Sequence, residues 1–270
     1  MTDRPSWAPA GVDTRRANVA RVYDYLLGGS HNFLADQDAG RAFTSVDPNA
    51  RTFARANRAF LGRAVRFLAG TGIRQFLDIG SGIPTQGNVH EVAQQADTAA
   101  RVVYADIDPV AIAHSKVILD GNDNATVIDA DLRAPEKILG HEAVGRLIRP
   151  GEPTGLLLVA VLHFIANADD PWSLVTRLRD TLAPGSYLVL SHITATGDTP
   201  VVKAFEKAYN RTVSTPIQTR PPADILRFFD GFELVEPGLV YVPLWRPDSP
   251  ADVPEDPSRF GNLVGVARKP

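Results

Sequence analysis

Asp78-Ile-Gly80-Ser-Gly82 closes an apolar run, Gln75 to Ile79, and is the stretch of this chain best suited to bring main chain against a ligand. Glycine lacks a Cβ, so it tolerates left-handed backbone and lets a ligand approach the N–H groups, while a helix starting behind such a turn favours negative charge. A glycine turn alone is weak evidence, because many strand-to-helix turns need one on steric grounds. Here, however, carboxylates also stand at the ends of the next two apolar runs. Asp106 closes Arg101-Val-Val-Tyr-Ala-Asp106, where a carboxylate can accept both hydroxyls of a ribose. Asp131 follows Ala125-Thr-Val-Ile-Asp129, where it can accept from the exocyclic amine of an adenine. Each could instead cap a helix, as Asp108 before Pro109 is expected to do. A glycine turn and carboxylates at successive strand ends together read as an adenosyl site. Nicotinamide enzymes use the same ribose position, so the adenosyl cofactor stays open at this point.

Other chemistry is thinner. His163 follows the fourth apolar run, Gly155 to Leu162, beside that site; imidazole titrates near neutrality and could take a proton from a nucleophile, or simply wall the pocket. His192, after the fifth run, is a weaker candidate of the same kind. His90-Glu91 begins like a zinc-protease helix, but position 94 is Gln, so that pattern fails and no metal is expected. The chain has no cysteine, which excludes disulfides, thiolate metal sites and cysteine nucleophiles. It has no Tyr-x-x-x-Lys pair, which argues against a nicotinamide oxidoreductase.

The elements that position these residues are legible from pattern. The runs at 75–80, 101–106, 125–129, 155–162 and 186–191 are continuously apolar and alternate with helical stretches, the signature of a parallel sheet covered on both faces. Asn88 with Glu91 makes a capping box, and Asp108-Pro109 and Asp170-Pro171 open two further helices. Residues 1–72 contain no strand candidate and read as a helical cap. Asp13 is expected to cap a helix ending at Leu27 before Gly28-Gly29, and Pro48 to begin a longer one. That longer helix carries Arg51, Arg55, Arg58, Arg63 and Arg66, read as a solvated face in preference to an anion site. The expected division is a cap at 1–72 and a cofactor domain at 73–270 with a helical insertion near 195–230.

At 270 residues the chain can bury a large core. Net charge of -3 and a pI near 6.1 argue against a nucleic-acid partner. Met1 to Ala10 has no apolar signal region, and the longest apolar run, Gly155 to Ala166, is too short to span a bilayer, so no membrane partner and a cytoplasmic location are expected. The oligomeric state is left open.

The motifs Asp78-Ile-Gly-Ser-Gly82, Asp106-Ile-Asp-Pro109, Asp129-Ala-Asp-Leu132 and Leu182-Ala-Pro-Gly185 resemble the motif series of class I S-adenosylmethionine-dependent methyltransferases. Arg21 to Phe33, Gly82 to Glu91, Ala160-Val-Leu-His-Phe164 and Phe228-Phe-Asp-Gly231 are similar, more narrowly, to an actinobacterial S-adenosyl methyltransferase family. The resemblance, over roughly residues 13–247, implies a Rossmann-like α/β fold: a seven-stranded, mostly parallel sheet with a reversed last strand, its sixth and seventh strands at Phe232–Val242 and Leu263–Arg268. It implies S-adenosylmethionine against Gly80, Ser81, Gly82, Thr85, Asp106, Ile107, Asp131, Leu132, Ala160 and Val161, and methylation of an acceptor, read as a small molecule. Tyr25, His31, Asn32 and Phe33, flanking Gly28-Gly29 as a hinge, would form a lid over cofactor or substrate; the alternative is that the glycines only end the helix. Pro84 stands where many such enzymes have a third glycine; it has no N–H, so Thr85 or the N-terminal segment would share the methionine carboxylate. A nicotinamide oxidoreductase and a non-catalytic S-adenosylmethionine-binding protein are the alternative readings.

Overall fold

The computed structural model describes residues 5, 7–84, 87–194, 206–207, 209–211, 213 and 215–270. Helices α1 (Val19–Leu27), α2 (Leu34–Val46) and α3 (Ala50–Gly70) come first. Then β1 (Gln75–Ile79), β2 (Arg101–Asp106), β3 (Ala125–Asp129), β4 (Gly155–Val159) and β5 (Tyr187–Ile193) alternate with helices, among them α4 (Val89–Ala96), α5 (Pro109–Ile118), α6 (Pro135–Leu139), α7 (Glu142–Leu147) and α8 (Pro171–Thr181). The chain ends with β6 (Glu233–Leu234), β7 (Val240–Tyr241) and β8 (Asn262–Arg268).

The eight-stranded sheet has the order β3-β2-β1-β4-β5-β8-β6, with β7 also paired to β8. Strands β1 to β5 are parallel, and β8 runs antiparallel to β5, β6 and β7. The expected parallel core with a reversed last strand is therefore present. The expected sixth strand, Phe232–Val242, is instead two short pieces. Pro237 offers no N–H to a ladder and Gly238 turns the chain at φ +87°, which interrupts the pairing. The order of strands reverses between β1 and β4, and a crevice opens there beyond their carboxyl ends.

Alternate residues of the central strands enter opposite cores. Phe76, Val102, Leu157 and Val189 pack under α3 and α4, whereas Leu77, Val103, Leu156 and Leu188 pack under α7 and α8. Phe60, Ala64, Val65 and Leu68 of α3 are fully buried on the sheet, so the latter half of this helix covers the cofactor-domain core directly. Its first half, with Ala50 and Ala54, packs on α1 and α2 in a separate apolar cluster. The expected insertion begins at 195–205, outside the described residues; Pro222–Leu226 farther on is helical.

Two helix starts differ from expectation. Asn18, not Asp13, caps α1 by accepting the Ala20 N–H at 2.8 Å. The Arg21 guanidinium donates to the Asp13 and Arg16 carbonyls at 3.2 and 2.9 Å, folding that stretch back as a turn. Similarly, α3 starts at Ala50 behind Asn49, leaving Pro48 in the preceding turn. Expected caps at Asn88, Asp108 and Asp170 are all present. No helix among the described residues is long and apolar enough to cross a membrane.

Candidate active site

The ends of β1, β2, β3 and β4 converge on one cavity of about 610 Å³. Gly80, Ser81, Gly82, Asp106, Ile107, Asp131, Leu132, Ala160 and Val161 all line it. Thr85 lies outside the described residues.

Gly80 shows why this loop needs glycine. It has φ +75°, and a Cβ there would stand 2.3 Å from Cγ2 of Val161, so its absence lets the loops after β1 and β4 meet. The loop is held to β2 by the Gly80 N–H, which donates to the Ala105 carbonyl at 2.8 Å, and by the Gly82 N–H, which donates to Asp106 Oδ2 at 2.7 Å. The other Asp106 oxygen accepts the Asp108 N–H at 2.8 Å. Burial raises the Asp106 pKa, and these two N–H groups oppose the rise.

Asp131 is engaged differently. Arg133 donates to it from Nε at 3.0 and 2.9 Å and from Nη2 at 2.6 Å. Burial acts to raise its pKa, but the Arg133 hydrogen bonds and charge outweigh it and hold the carboxyl below its usual range. Ile107, 51% exposed, and buried Leu132 offer apolar surface beside these carboxylates.

Asp78 and Arg58 also line the cavity, although neither stood among the expected contacts. Asp78 is buried, and burial pushes its carboxyl up to about 7, assisted by Asp106 and opposed by Arg58. Arg58 donates to Asn88 Oδ1 at 2.8 Å. It reaches the site because it follows Asn57, a polar residue 2% exposed on the otherwise apolar inner face of α3. That interruption was the available signal. The N-terminus of α4 is already served by its own Asn88–Glu91 box, which leaves anion binding to other groups.

Ala160, directly after β4, has φ +58°, left-handed backbone that costs a residue with a Cβ on the order of 1–2 kcal/mol. A hydrogen-bond chain holds it. Its N–H donates to Ser191 Oγ at 2.8 Å, Ser191 donates to Asn57 Oδ1 at 2.7 Å, and Asn57 Nδ2 donates to the Tyr23 hydroxyl at 3.0 Å. Helices α1 and α3 are thereby tied to the end of β4. The bend also shortens β4 relative to the expected 155–162 and starts a 3-10 turn, Leu162–Phe164, which carries His163.

His163 is 4% exposed, lines the cavity, and its Nδ1 has no hydrogen-bond partner. Burial, then the neighbouring His192 and Arg220, hold its pKa well below the usual histidine value, so the ring is neutral at pH 7. His192 lies within β5, fully buried, rather than after it. Its Nδ1 lies 2.7 Å from the Ile193 carbonyl and its Nε2 2.7 Å from Arg220 Nη1, so Nδ1 carries the proton and Nε2 accepts. Burial holds this ring down to about 3. It is a structural acceptor, not a second base.

The expected lid residues lie elsewhere. Asn32 Nδ2 donates to Asp24 Oδ2 and the Gly29 carbonyl at 2.8 and 3.0 Å, locking the α1–α2 turn. Tyr25 covers Gly40, where a Cβ would stand 2.2 Å from its ring, and lies under Arg51. His31 and Phe33 pack with Trp7. Neither Tyr25 nor Asn32 is among the cavity-lining residues. The lining comes instead from the face of α1 bearing Val19, Val22, Tyr23 and Leu26, a helical spacing present in the sequence. The arginines of α3 divide: Arg55 and Arg66 are exposed as expected, Arg66 pairing with Asp248, whereas Arg63 is half-buried and donates to the Trp245 and Val242 carbonyls.

The profile of the S-adenosyl methyltransferase family matches residues 5–270. A candidate methyltransferase of known structure from Thermobifida fusca is 42% identical, with a TM-score of 0.91, over 98% of this chain and 99% of its own. A DUF574 family protein from Streptomyces avermitilis is 38% identical, also with a TM-score of 0.91, over 96% and 99%. No protein of curated function matches the chain. With the family matched over the carboxylates and glycine loop alike, the nicotinamide reading falls, and the chain belongs to the S-adenosyl methyltransferase family as an S-adenosylmethionine-dependent enzyme.

Proposed function

We propose that the chain methylates a small-molecule acceptor enclosed between the strand ends and a cap formed by α1, α2 and the first half of α3. The supporting observation is a single continuous cavity that joins the four strand ends to apolar walls from those helices. Its volume is that of a site for small ligands. The cavity fits the cofactor: Ser81 Oγ is buried without a partner, and the Gly80 cradle is one that a Cβ would fill.

In this reading Asp106 accepts from the ribose hydroxyls, Ile107 and Leu132 pack on the purine, and Asp131 accepts from its amine. Gly80, Ser81 and Gly82 face the methionine end, with Ala160 and Val161 across from them. Asp78 takes the methionine ammonium and Arg58 its carboxylate, which meets the need left by Pro84. S-adenosylmethionine, when bound, supplies a methyl group on a positively charged sulfur. The protein aligns the acceptor with that carbon and excludes water, an effect on the order of 7–11 kcal/mol for well-oriented reactants. Neutral His163 can take the proton that the acceptor loses. The acidic pI argues against nucleic acid as acceptor, and because the cofactor is a cytoplasmic metabolite we place the reaction in the cytoplasm.

Release of S-adenosylhomocysteine, measured across a metabolite library, tests the proposal. Turnover with a small molecule is expected; methylation confined to protein or nucleic acid would overturn it. Replacing His163 with Gln should lower turnover with a protic acceptor while leaving S-adenosylmethionine affinity within about twofold, because the change keeps volume and polarity. A large loss of cofactor affinity by calorimetry would reassign His163 to the cofactor pocket.

Asp78 gives a pH prediction. Only the ionised carboxylate attracts an ammonium, so affinity should rise up to tenfold per pH unit below about 7. It should level above 7 and fall again beyond about 8, where the ligand's α-amino group loses its proton. Binding below pH 7 should release a proton, and Asp78→Asn should flatten the acidic limb. The sign for the ligand-free protein is opposite: the unfolded carboxyl ionises at its ordinary 3.8, so stability should fall as pH rises from about 4 to 7.

A further inference from the structure

We infer that the methyl acceptor is an uncharged aromatic molecule whose hydroxyl or ring N–H sits against His163. The inference deepens the methyltransferase reading of the cavity and rests on it.

Away from Asp78, the walls are Val22, Leu26, Phe43, Phe164, Ile193 and Tyr209. Phe43 and Tyr209 stack at 4.6 Å with 10° between their planes, and Phe164 lies 6.2 Å from Tyr209 at 29°. Phe43 and Tyr209 cover one face of each other, and with Phe164 they give the chamber an aromatic wall, against which another ring gains burial and edge or offset contacts.

Charge selects against ionic acceptors. The ionisable lining residues fall into two groups. Arg58, Asp78, Asp106, Asp108, Asp131 and Arg133 stand at the cofactor end, and Asp47, Asp169 and Arg259 are partly or fully exposed to solvent. Among the described residues, no other ionised side chain lines the chamber. A carboxylate, phosphate or ammonium buried there would lose its water without gaining a counter-ion.

Most buried polar groups of the chamber are already engaged. The Tyr23 hydroxyl donates to the Ala54 carbonyl at 3.0 Å, and Asn57 is bonded to Ser191, Tyr23 and Asn262. Among the described residues, those with a buried unpartnered polar atom that line the cavity are Ser81 and His163, and Ser81 belongs to the cofactor end. A neutral imidazole accepts a hydrogen bond from a hydroxyl or N–H and so orients it. In the reaction the acceptor's lone pair forms the new bond to the methyl carbon, the carbon–sulfur bond breaks with its electrons passing to sulfur, and the acceptor's proton passes to the imidazole and then to water.

The test uses protein saturated with S-adenosylhomocysteine and probes on one skeleton: 2-naphthol, naphthalene-2-sulfonate and 2-naphthylmethylammonium, with 1-decanol as the aliphatic control. Calorimetry should show 2-naphthol binding at least tenfold more tightly than each of the others, and His163→Leu should weaken it at least tenfold while S-adenosylhomocysteine affinity is retained. Equal binding of a charged probe or of decanol overturns the inference. Binding of S-adenosylhomocysteine with none of the probes overturns it and leaves the methyltransferase reading standing. Failure of S-adenosylhomocysteine itself to bind removes that reading and the inference together. If His163→Leu does not fold, the ranking on the unaltered protein decides.

Discussion

Replacing Arg220 with alanine should destabilise the protein by about 3–5 kcal/mol in urea unfolding, because several buried acceptors lose their donor at once and each orphaned one costs about 1–3 kcal/mol before relaxation. Arg220 is 1% exposed. It donates to the Leu162 carbonyl at 3.0 Å, the Ile165 carbonyl at 2.7 Å, Asn167 Oδ1 at 3.1 and 2.8 Å, and lies 2.7 Å from His192 Nε2. Its guanidinium lies over the rings of Trp172 and Phe228 at 5.4 and 5.7 Å. Burial lowers its pKa to about 10, which leaves it charged at neutrality. Since it clamps the carbonyls on both sides of His163, turnover should fall more than cofactor affinity. Lysine should not rescue the loss, because one ammonium cannot reach acceptors spread around a planar fork. A change below 1 kcal/mol would show that the turn carrying His163 is held by other contacts.

Asp106→Ala should weaken S-adenosylmethionine binding by about 2–3 kcal/mol, roughly 30- to 150-fold, near the upper range for losing a charged hydrogen-bond partner. Two losses combine. The ribose loses its acceptor, and the Gly82 and Asp108 N–H groups lose the carboxylate that fixes the glycine loop to β2. Asp131→Ala should cost less, about 1 kcal/mol, because Arg133 already occupies both of its oxygens. Calorimetric titration of both variants tests the order, and unchanged affinity in both would sink the carboxylate assignments.

Much of the scaffold is legible in the sequence. Continuous apolar runs predicted parallel strands, and the caps at Asn88, Asp108 and Asp170 stand where their side chains require. The Gly80 turn and the carboxylates Asp106 and Asp131 reach one cavity as their strand-end positions implied. These features depend on interactions among residues a few positions apart, or on a topology that few sequences of alternating strands and helices can avoid. Asp78 was visible as the first residue of its motif, but its ionisation near 7 follows from burial that no local pattern reports.

What needed the tertiary structure was every direction set by distant partners. Asn32 and Tyr25 looked like a lid from their neighbours in sequence, yet Asp24, Gly29 and Gly40 turn them away from the cavity. Arg58 looked like part of a solvated face, yet packing of α3 on the sheet aims it at the site. His192 and Arg220 meet across 28 positions, and that contact makes one histidine structural while leaving His163 with an open nitrogen. Residue pattern alone therefore specified the sheet, its order-reversal crevice and the cofactor-side carboxylates. Which cap residues line the cavity was set by the folded packing, because side-chain direction there is fixed by long-range contacts and hydrogen bonding rather than by periodicity.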